Sequence, residues 1–572
     1  MSKPESIFSK NYISSILVFS IIFFYGFTGY SQIPQIKEGM VVSADSIATE
    51  VGIQILREGG NAVDAAVATG FALAVTYPVA GNIGGGGFMV IRLQSGEEIT
   101  LDYREKAPSG ATRDMYLDKE GNFIDSLAQE GILSGGVPGS VSGLLTALEK
   151  YGTMSREMVI APALRLAKEG FKLPKPTAAS FKKYNKVFNK FPSTSAIFTK
   201  NGLPFEPGEL FIQKDLAETL ELILREGKNG FYTGPLADRI VAHMKRESGL
   251  ITSDDLLNYE TVVRKPVTGS YRGYKVISMP PPSSGGVALI QLLNILENID
   301  LKSLGHSSPE YVHYLVEAMR RVYADRSEYL GDPDFFKVPV KDLISKEYAK
   351  KLFSQIKSVA TPSEEVKPGL ETPKESMETT HYSVLDRWGN AVSVTTTINS
   401  GYGSKLVIDG TGFFLNNEMD DFSAKPGVPN QFGLLGSDAN SIKPGKRMLS
   451  SMTPTILLKE NTPVLIVGSP GGSTIITSVL QVILNVVDFG NDIRNAVDLP
   501  RIHHQWYPDV VSIEEDVFST ETRDIFEKKG YKVKDIPQLG LIEAISIDNK
   551  TGEVSGASDR RGVGLARGEG QK

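Results

Sequence analysis

Hydroxyls, a pair of acids and a pair of glycines are the residues of this chain whose spacing suggests chemistry. The stretch Glu378-Thr379-Thr380-His381-Tyr382-Ser383 opens a β-rich run directly after a loose polar segment. Asp386 to Asn390 reads as a turn between residues 379–385 and 391–398, which predicts a hairpin. With the turn centred on Trp388, Thr379 falls opposite Thr397. One face then carries Thr379, His381, Ser383, Ser393, Thr395, Thr397 and Asn399, with Leu385 and Ala391 as its apolar members. The other carries Tyr382, Val384, Val392, Val394 and Ile398, with Thr380 and Thr396 as its polar members. A slip of one residue would set the apolar face of one strand beside the polar face of the other, so the pattern favours this register. A row of hydroxyls of this kind predicts a site built around Thr379.

Three other stretches carry candidate groups. Ser469-Pro470-Gly471-Gly472-Ser473-Thr474 joins a predicted strand at 464–468 to a predicted helix at 475–487. A glycine pair at such a turn presents backbone N–H groups in the manner an oxyanion requires. Glu418 and Asp421 stand three apart; acids so spaced commonly form a solvated turn. Arg104 ends the strand-like run Leu101-Asp102-Tyr103, where a single arginine reads as a surface charge. The four glycines Gly84 to Gly87 precede a strand rather than a helix, which favours tight packing beneath a site over a phosphate cradle. With six histidines, no HExxH-like spacing and no cysteine, neither a metal nor a cofactor is expected, and thiol nucleophiles and disulfides are excluded.

The elements that must position these groups are legible in part. The chain has 572 residues, 41% of them hydrophobic, enough for a large core, and a formal net charge of −6 makes nucleic acid an unsuitable partner. Lys3 and Lys10 precede the apolar run from Ile13 to Phe27, and Gly29-Tyr30-Ser31 supplies small residues for cleavage. Residues 1–31 therefore read as a secretion signal cut near Ser31, with a periplasmic or extracellular destination. The alternative is an uncleaved anchor, for which the apolar run falls short of the roughly 20 residues of a span. Helices are predicted over 46–57, 64–77, 140–151, 287–296 and 310–330. The last is amphipathic, its charges expected to face solvent or neighbouring helices. Residues 357–378, with Pro362, Pro368 and Pro373 among Ser, Thr, Glu and Lys, read as a linker. Ending a loose run at Thr379 makes sense if the chain is cut there and the new end swings away.

Thr379-Thr380-His381-Tyr382-Ser383, Asn416-Asn417-Glu418-Met419-Asp420-Asp421-Phe422-Ser423, Leu449-Ser450-Ser451-Met452 and Gly468-Ser469-Pro470-Gly471-Gly472-Ser473, taken with Arg104 and Pro500-Arg501-Ile502-His503-His504-Gln505-Trp506, resemble the γ-glutamyltransferases. These are N-terminal-nucleophile hydrolases. The resemblance implies an α/β chain of the α+β type, folded as a four-layer αββα sandwich of two mainly antiparallel sheets flanked by helices. It also implies a precursor cut between Glu378 and Thr379 into a large subunit, 32–378, and a small subunit, 379–572, which pair with each other. The cut would free an α-amine with a pKa of about 7.7 to 8.0, able to serve as the base a threonine hydroxyl needs.

By the same resemblance Thr379 attacks the γ-carbonyl of glutathione or another γ-glutamyl compound, and water or an acceptor amino acid or dipeptide resolves the acyl-enzyme. Thr397 would orient Thr379, and Gly471 and Gly472 would supply oxyanion donors. Arg104, Ser450 and Ser451 would hold the substrate α-carboxylate, and Asn399, Glu418 and Asp421 its α-ammonium. Phe432 falls in the family's lid, here about 429–440, where some members carry an aromatic hydroxyl. Position 418 is Glu where some bacterial members have Gln. His381, His503 and His504 are expected to be structural. Two other readings share this ground: a cephalosporin-type amide acylase of the same fold, and an inactive secreted binding homologue.

Overall fold

The computed structural model describes residues 35–367, 379–423 and 437–571. The expected export signal, Glu378 and Phe432 lie outside them. Strands β1 (Met40–Ser43), β2 (Gly86–Arg92), β3 (Glu98–Asp102), β4 (Val262–Arg264), β7 (Thr380–Leu385), β8 (Ala391–Thr397) and β13 (Leu565–Gly568) belong to one sheet. Strands β5 (Val267–Tyr271), β6 (Tyr274–Ser278), β9 (Thr455–Lys459), β10 (Thr462–Gly468), β11 (Glu543–Ile547) and β12 (Val554–Ser558) form the other. The first runs in the order β13-β1-β7-β8-β2-β3-β4 and the second β12-β11-β10-β9-β6-β5. Every pairing within these two sheets is antiparallel.

Each sheet buries its outer face under helices, which gives the expected four layers. Helices α1 (Ser46–Arg57), α2 (Ala62–Thr76) and α3 (Ser140–Tyr151) share a core with Met89, Ile91, Val384, Val392 and Val394 of the first sheet. Asn61 caps α2 in a reciprocal capping box with Asp64, as its position before an alanine-rich run predicts. Helices α4 (Gly285–Leu296), α5 (Pro309–Tyr329) and α6 (Thr474–Val487) cover the second sheet around Val276, Leu457, Leu465 and Val467.

Between the sheets the filling changes character along the strands. Val42, Val90, Leu385, Ile456, Ile466 and Ile545 make an apolar cluster. The hydroxyl row of β7 and β8 occupies the same layer and is buried with it. Ser383 Oγ donates to the Glu543 carbonyl at 2.9 Å, so it can only accept from His381 Nε2, 3.1 Å away. Burial pushes the His381 pKa down to about 3, so the ring is neutral and, with its proton on Nε2, Nδ1 accepts from Thr395 Oγ1 at 2.9 Å. Ser393 Oγ accepts the Thr455 N–H at 3.0 Å. The polar face is therefore a satisfied inter-sheet layer, and Thr379 at its end lines a cavity.

The charges of α5 divide between the two expected settings: Glu310 is exposed, whereas Glu317, Arg320, Arg321, Asp325 and Arg326 are buried, Asp325 accepting from Gln291 of α4. One expectation is corrected. The first part of the expected linker is not loose. Glu317 takes the Thr361 N–H at 3.0 Å and its hydroxyl at 2.7 Å, while Asp509 takes the Ser363 N–H at 2.9 Å and Trp506 Nε1 donates to the Ser363 carbonyl at 2.9 Å. Composition read this segment as linker because its own residues are polar; its partners come from α5 and from residues beyond 500.

Candidate active site

The hairpin register follows from its turn. Asp386 Oδ1 accepts the N–H groups of Trp388 and Asn390, each at 2.9 Å, which closes the turn around Trp388. Leu385 then pairs with Ala391 and the ladder runs to Thr380 opposite Thr396. Thr379 is the residue just before the first of β7, and Thr397 is the last of β8. The glycines pass beside β8 in the same sheet, Gly86 pairing with Thr397 and Gly87 with Thr396. A methyl group on Gly85 would collide with the Thr397 carbonyl, and one on Gly86 would sit 2.5 Å from Glu105 Oε2. The glycine run is close-packed, as expected.

Thr379 and Gly471 line one cavity of about 570 Å³, together with Asp45, Tyr402, Gln538 and Glu543. Gly471 and Gly472 have φ of +133° and +55°, conformations that favour glycine. Their carbonyls accept the first N–H groups of α6: Thr474 N donates to Gly471 at 3.0 Å and Ile475 N to Gly472 at 3.2 Å. Among the described residues neither glycine N–H has a protein acceptor. Two neighbouring backbone donors are thus left, that of Gly471 at the wall of the cavity that Thr379 lines.

Thr397 Oγ1 accepts the Asn399 N–H at 2.7 Å, and Asn399, at φ +73°, donates its Nδ2 to the Asn417 carbonyl at 2.9 Å. Asn417 N–H returns to the Ile398 carbonyl at 3.2 Å. Asn416 ties the next step down: its Oδ1 accepts from Gly136 N at 2.9 Å and Glu418 N at 3.0 Å, and its Nδ2 donates to Gly84 O and Gly136 O at 2.8 Å. The end of β8 is in this way fastened to the 3-10 turn Glu418–Asp421.

That turn is not a solvated one, and Arg104 is not a surface charge. Arg104 and Glu418 have side chains 1% and 0% exposed and meet at 2.6 Å, Nη1 to Oε2. The other guanidinium nitrogen, Nη2, pairs with Asp421, whose side chain keeps 14% exposure. Glu105 Oε2 lies 3.7 Å from Nη1. Burial raises Glu105 to about 8 in spite of Arg104, and burial likewise raises Glu418 and Asp421, partly offset by the same arginine. Two buried carboxyls, Glu105 and Glu418, crowd the Arg104 guanidinium together with the partly buried Asp421, so their protonation is linked. A guanidinium in contact with two acids complements a ligand that carries an anion and a cation on one carbon, since each ligand charge finds its opposite within a single bond's reach.

Ser450 and Ser451 are buried beside this cluster. Arg104 Nη2 lies 3.4 Å from the Leu449 carbonyl, and Arg326 Nη2 donates to Ser451 Oγ at 2.9 Å. The cavity around Thr379 and Gly471 is not itself lined by the charged cluster or the serines; the connection runs through Thr397, Asn399 and Asn417. His503 and His504 are fully buried and held neutral, each to about 4, chiefly by desolvation, and hydrogen-bond Thr477 and Asp509. Three residues here went unnoticed in the sequence. They are Glu105, Arg326 and Asn440, the last donating Nδ2 to the Asp421 carbonyl at 2.7 Å and accepting from Leu449 N at 2.9 Å. The polar run 437–445 gave no signal separating Asn440 from ordinary loop residues.

Comparison with known proteins agrees with this geometry. The family model described as gamma-glutamyltranspeptidase matches residues 48–568. A glutathione hydrolase proenzyme of Escherichia coli (strain K12) is 50% identical over 529 residues, covering 92% of this chain and 91% of its own. Among solved structures, a cephalosporin acylase from Bacillus halodurans superposes with a TM-score of 0.84 at 28% identity, covering 95% of this chain and 98% of its own. A gamma-glutamyltranspeptidase chain of Helicobacter pylori gives a TM-score of 0.57 at 50% identity, covering 58% of this chain and 96% of its own. With a family match over most of its length and relatives at this identity, the chain belongs to the gamma-glutamyltranspeptidase family.

Proposed function

We propose that this protein is a self-processing glutathione hydrolase and γ-glutamyltransferase whose nucleophile is the hydroxyl of Thr379. The observation that carries the reading is the Arg104 guanidinium set between Glu418 and Asp421, a receptor for an amino-acid head. In the uncut chain the Thr379 hydroxyl attacks the Glu378 carbonyl, the peptide becomes an ester, and water releases a large fragment ending at Glu378. The freed Thr379 amine then takes the proton from its own hydroxyl as Oγ1 attacks the γ-carbonyl of the donor. Gly471 and Gly472 N–H groups stabilise the resulting oxyanion. Collapse expels the amine product, which takes its proton from the Thr379 ammonium, and leaves a γ-glutamyl ester on Thr379. Water or the amine of an acceptor amino acid or dipeptide attacks that ester and restores the enzyme.

Arg104, Ser450 and Ser451 would hold the donor α-carboxylate; Asn399, Glu418 and Asp421 would hold its α-ammonium. The proenzyme name of the Escherichia coli relative and the shorter length of the Helicobacter pylori chain support a cut into two paired subunits, 32–378 and 379–572. Lys3, Lys10 and the apolar run that follows support export, with the signal removed near Ser31.

The cephalosporin acylase shares the fold, so the test must separate the two activities. A γ-glutamyl anilide and an acyl anilide lacking the α-amino and α-carboxylate groups are offered to the purified protein. Selective cleavage of the first is expected; equal rates on both would favour the acylase.

A further inference from the structure

Arg326 lies on α5, outside every stretch on which the functional reading rests. Its side chain is buried and forks onto two hydroxyls: Nε donates to Ser284 Oγ at 2.9 Å and Nη2 to Ser451 Oγ at 2.9 Å. A guanidinium has donors only, so both hydroxyl oxygens must accept from it. Ser284 sends its own proton to the Ser450 carbonyl at 2.7 Å, and its backbone N–H goes to the same oxygen at 2.7 Å. Ser451 is different. Among the described residues its hydroxyl makes no second hydrogen bond, so its proton is left to point away from Arg326. Ser450 repeats the arrangement on a smaller scale, its Oγ accepting the Met452 N–H at 3.2 Å. The same guanidinium lies near enough to Asp421 to lower that carboxyl's proton affinity.

We propose that Arg326 is a positioning residue that sets the polarity of Ser451. By occupying the oxygen from the protein side, it turns the hydroxyl into a donor toward the ligand, so the site accepts an α-carboxylate and discriminates against a neutral α-carboxamide. Without Arg326 the hydroxyl can rotate and offer a lone pair instead, which a carboxamide N–H can use and a carboxylate cannot. Arg104 supplies charge attraction for the anion; Arg326 supplies direction. The inference rests on the γ-glutamyl donor reading given above.

The test compares a γ-glutamyl anilide with its α-carboxamide analogue on the full-length protein and on Arg326→Gln, Arg326→Lys, Ser451→Ala and Arg326→Gln/Ser451→Ala. For Arg326→Gln, KM for the carboxylate donor is expected to rise about tenfold with kcat within about threefold, while KM for the carboxamide stays within about twofold. Arg326→Lys, which keeps the charge but cannot fork, should fall between. The double variant should be no worse than Ser451→Ala alone. Additive losses, or equal losses on the two donors, overturn the proposal. If the Arg326 variants do not fold, Ser451→Ala decides: an unchanged ratio of KM values for the two donors also overturns it. Failure of the donor reading itself appears separately, as wild-type protein that cleaves neither anilide.

Discussion

Arg104 Nη1 lies 2.6 Å from Glu418 Oε2, with both side chains buried. The pair is costly to break from either side, because the survivor is left charged without a partner or must change its protonation. Arg104→Ala is therefore expected to lose at least about thirtyfold in kcat/KM on γ-glutamyl donors, in line with about 2 to 5 kcal/mol for a desolvated ion pair. Arg104→Lys should recover little, since an ammonium cannot contact Glu418 and Asp421 as a two-pronged fork does. Steady-state rates on the anilide check this; an Ala variant within threefold of wild type would exclude the assigned role.

Purified protein should run as two chains, the smaller beginning with Thr379. Thr379→Ala should stay whole and inactive, and Thr379→Ser should be cut more slowly. N-terminal sequencing of the small chain is decisive, and a start at any other residue would refute the assignment.

The cluster around Arg104 also predicts a pH effect. Glu105 is raised from 4.5 to about 8 by burial, so it is mostly neutral at pH 7 and ionises as pH passes about 8. Ionisation adds a negative charge 3.7 Å from Arg104 and weakens its hold on an anion. KM for the donor should rise above about pH 8, and Glu105→Gln should flatten that rise. Stability follows the same proton. The folded chain keeps it between about 4.5 and 8 while the unfolded chain releases it, so this group makes the fold less stable as pH climbs through the window. Denaturant titrations at pH 6 and pH 9 on wild type and Glu105→Gln measure the difference.

Gly468 faces the His381 ring closely enough that an added methyl would collide with it. His381 cannot step aside without giving up its bonds to Thr395 and Ser383. Gly468→Ala is expected to cost about 1 to 3 kcal/mol, the range for overpacking, visible as a lower melting temperature. Combining it with His381→Ala should cost less than the sum of the two single changes.

What could be read in the sequence was what neighbours along the chain determine. Alternation and the Asp386 turn were enough to set the hairpin register as far as Thr380 opposite Thr396, because period and turn act locally. The glycine run announced close packing for the same reason. Arg104, Glu418 and Asp421 looked like surface charges on local evidence, since the partners that bury them lie more than 300 residues apart in sequence. Arg326 was hidden inside a helix whose amphipathic pattern says which face is apolar but not what a buried charge will meet. Residues 361–366 failed in the opposite sense: a polar, proline-bearing run looks unstructured until Glu317, Asp509 and Trp506 arrive to hold it.

The hydrogen-bonded layer between the sheets has a consequence for how the nucleophile is armed. Shift β7 by one residue and His381, Ser383 and their partners would leave the layer that satisfies them, each buried polar group costing about 1 to 3 kcal/mol unpaired. The layer thus works as a lock on register, and Thr379 is the residue immediately before that strand. On the proposed reading, a chain that mispairs here cannot present its hydroxyl to the Glu378 carbonyl and stays uncut. Self-cleavage would then report correct assembly of the two sheets, and the fraction of uncut chain would serve as a direct assay of misfolding.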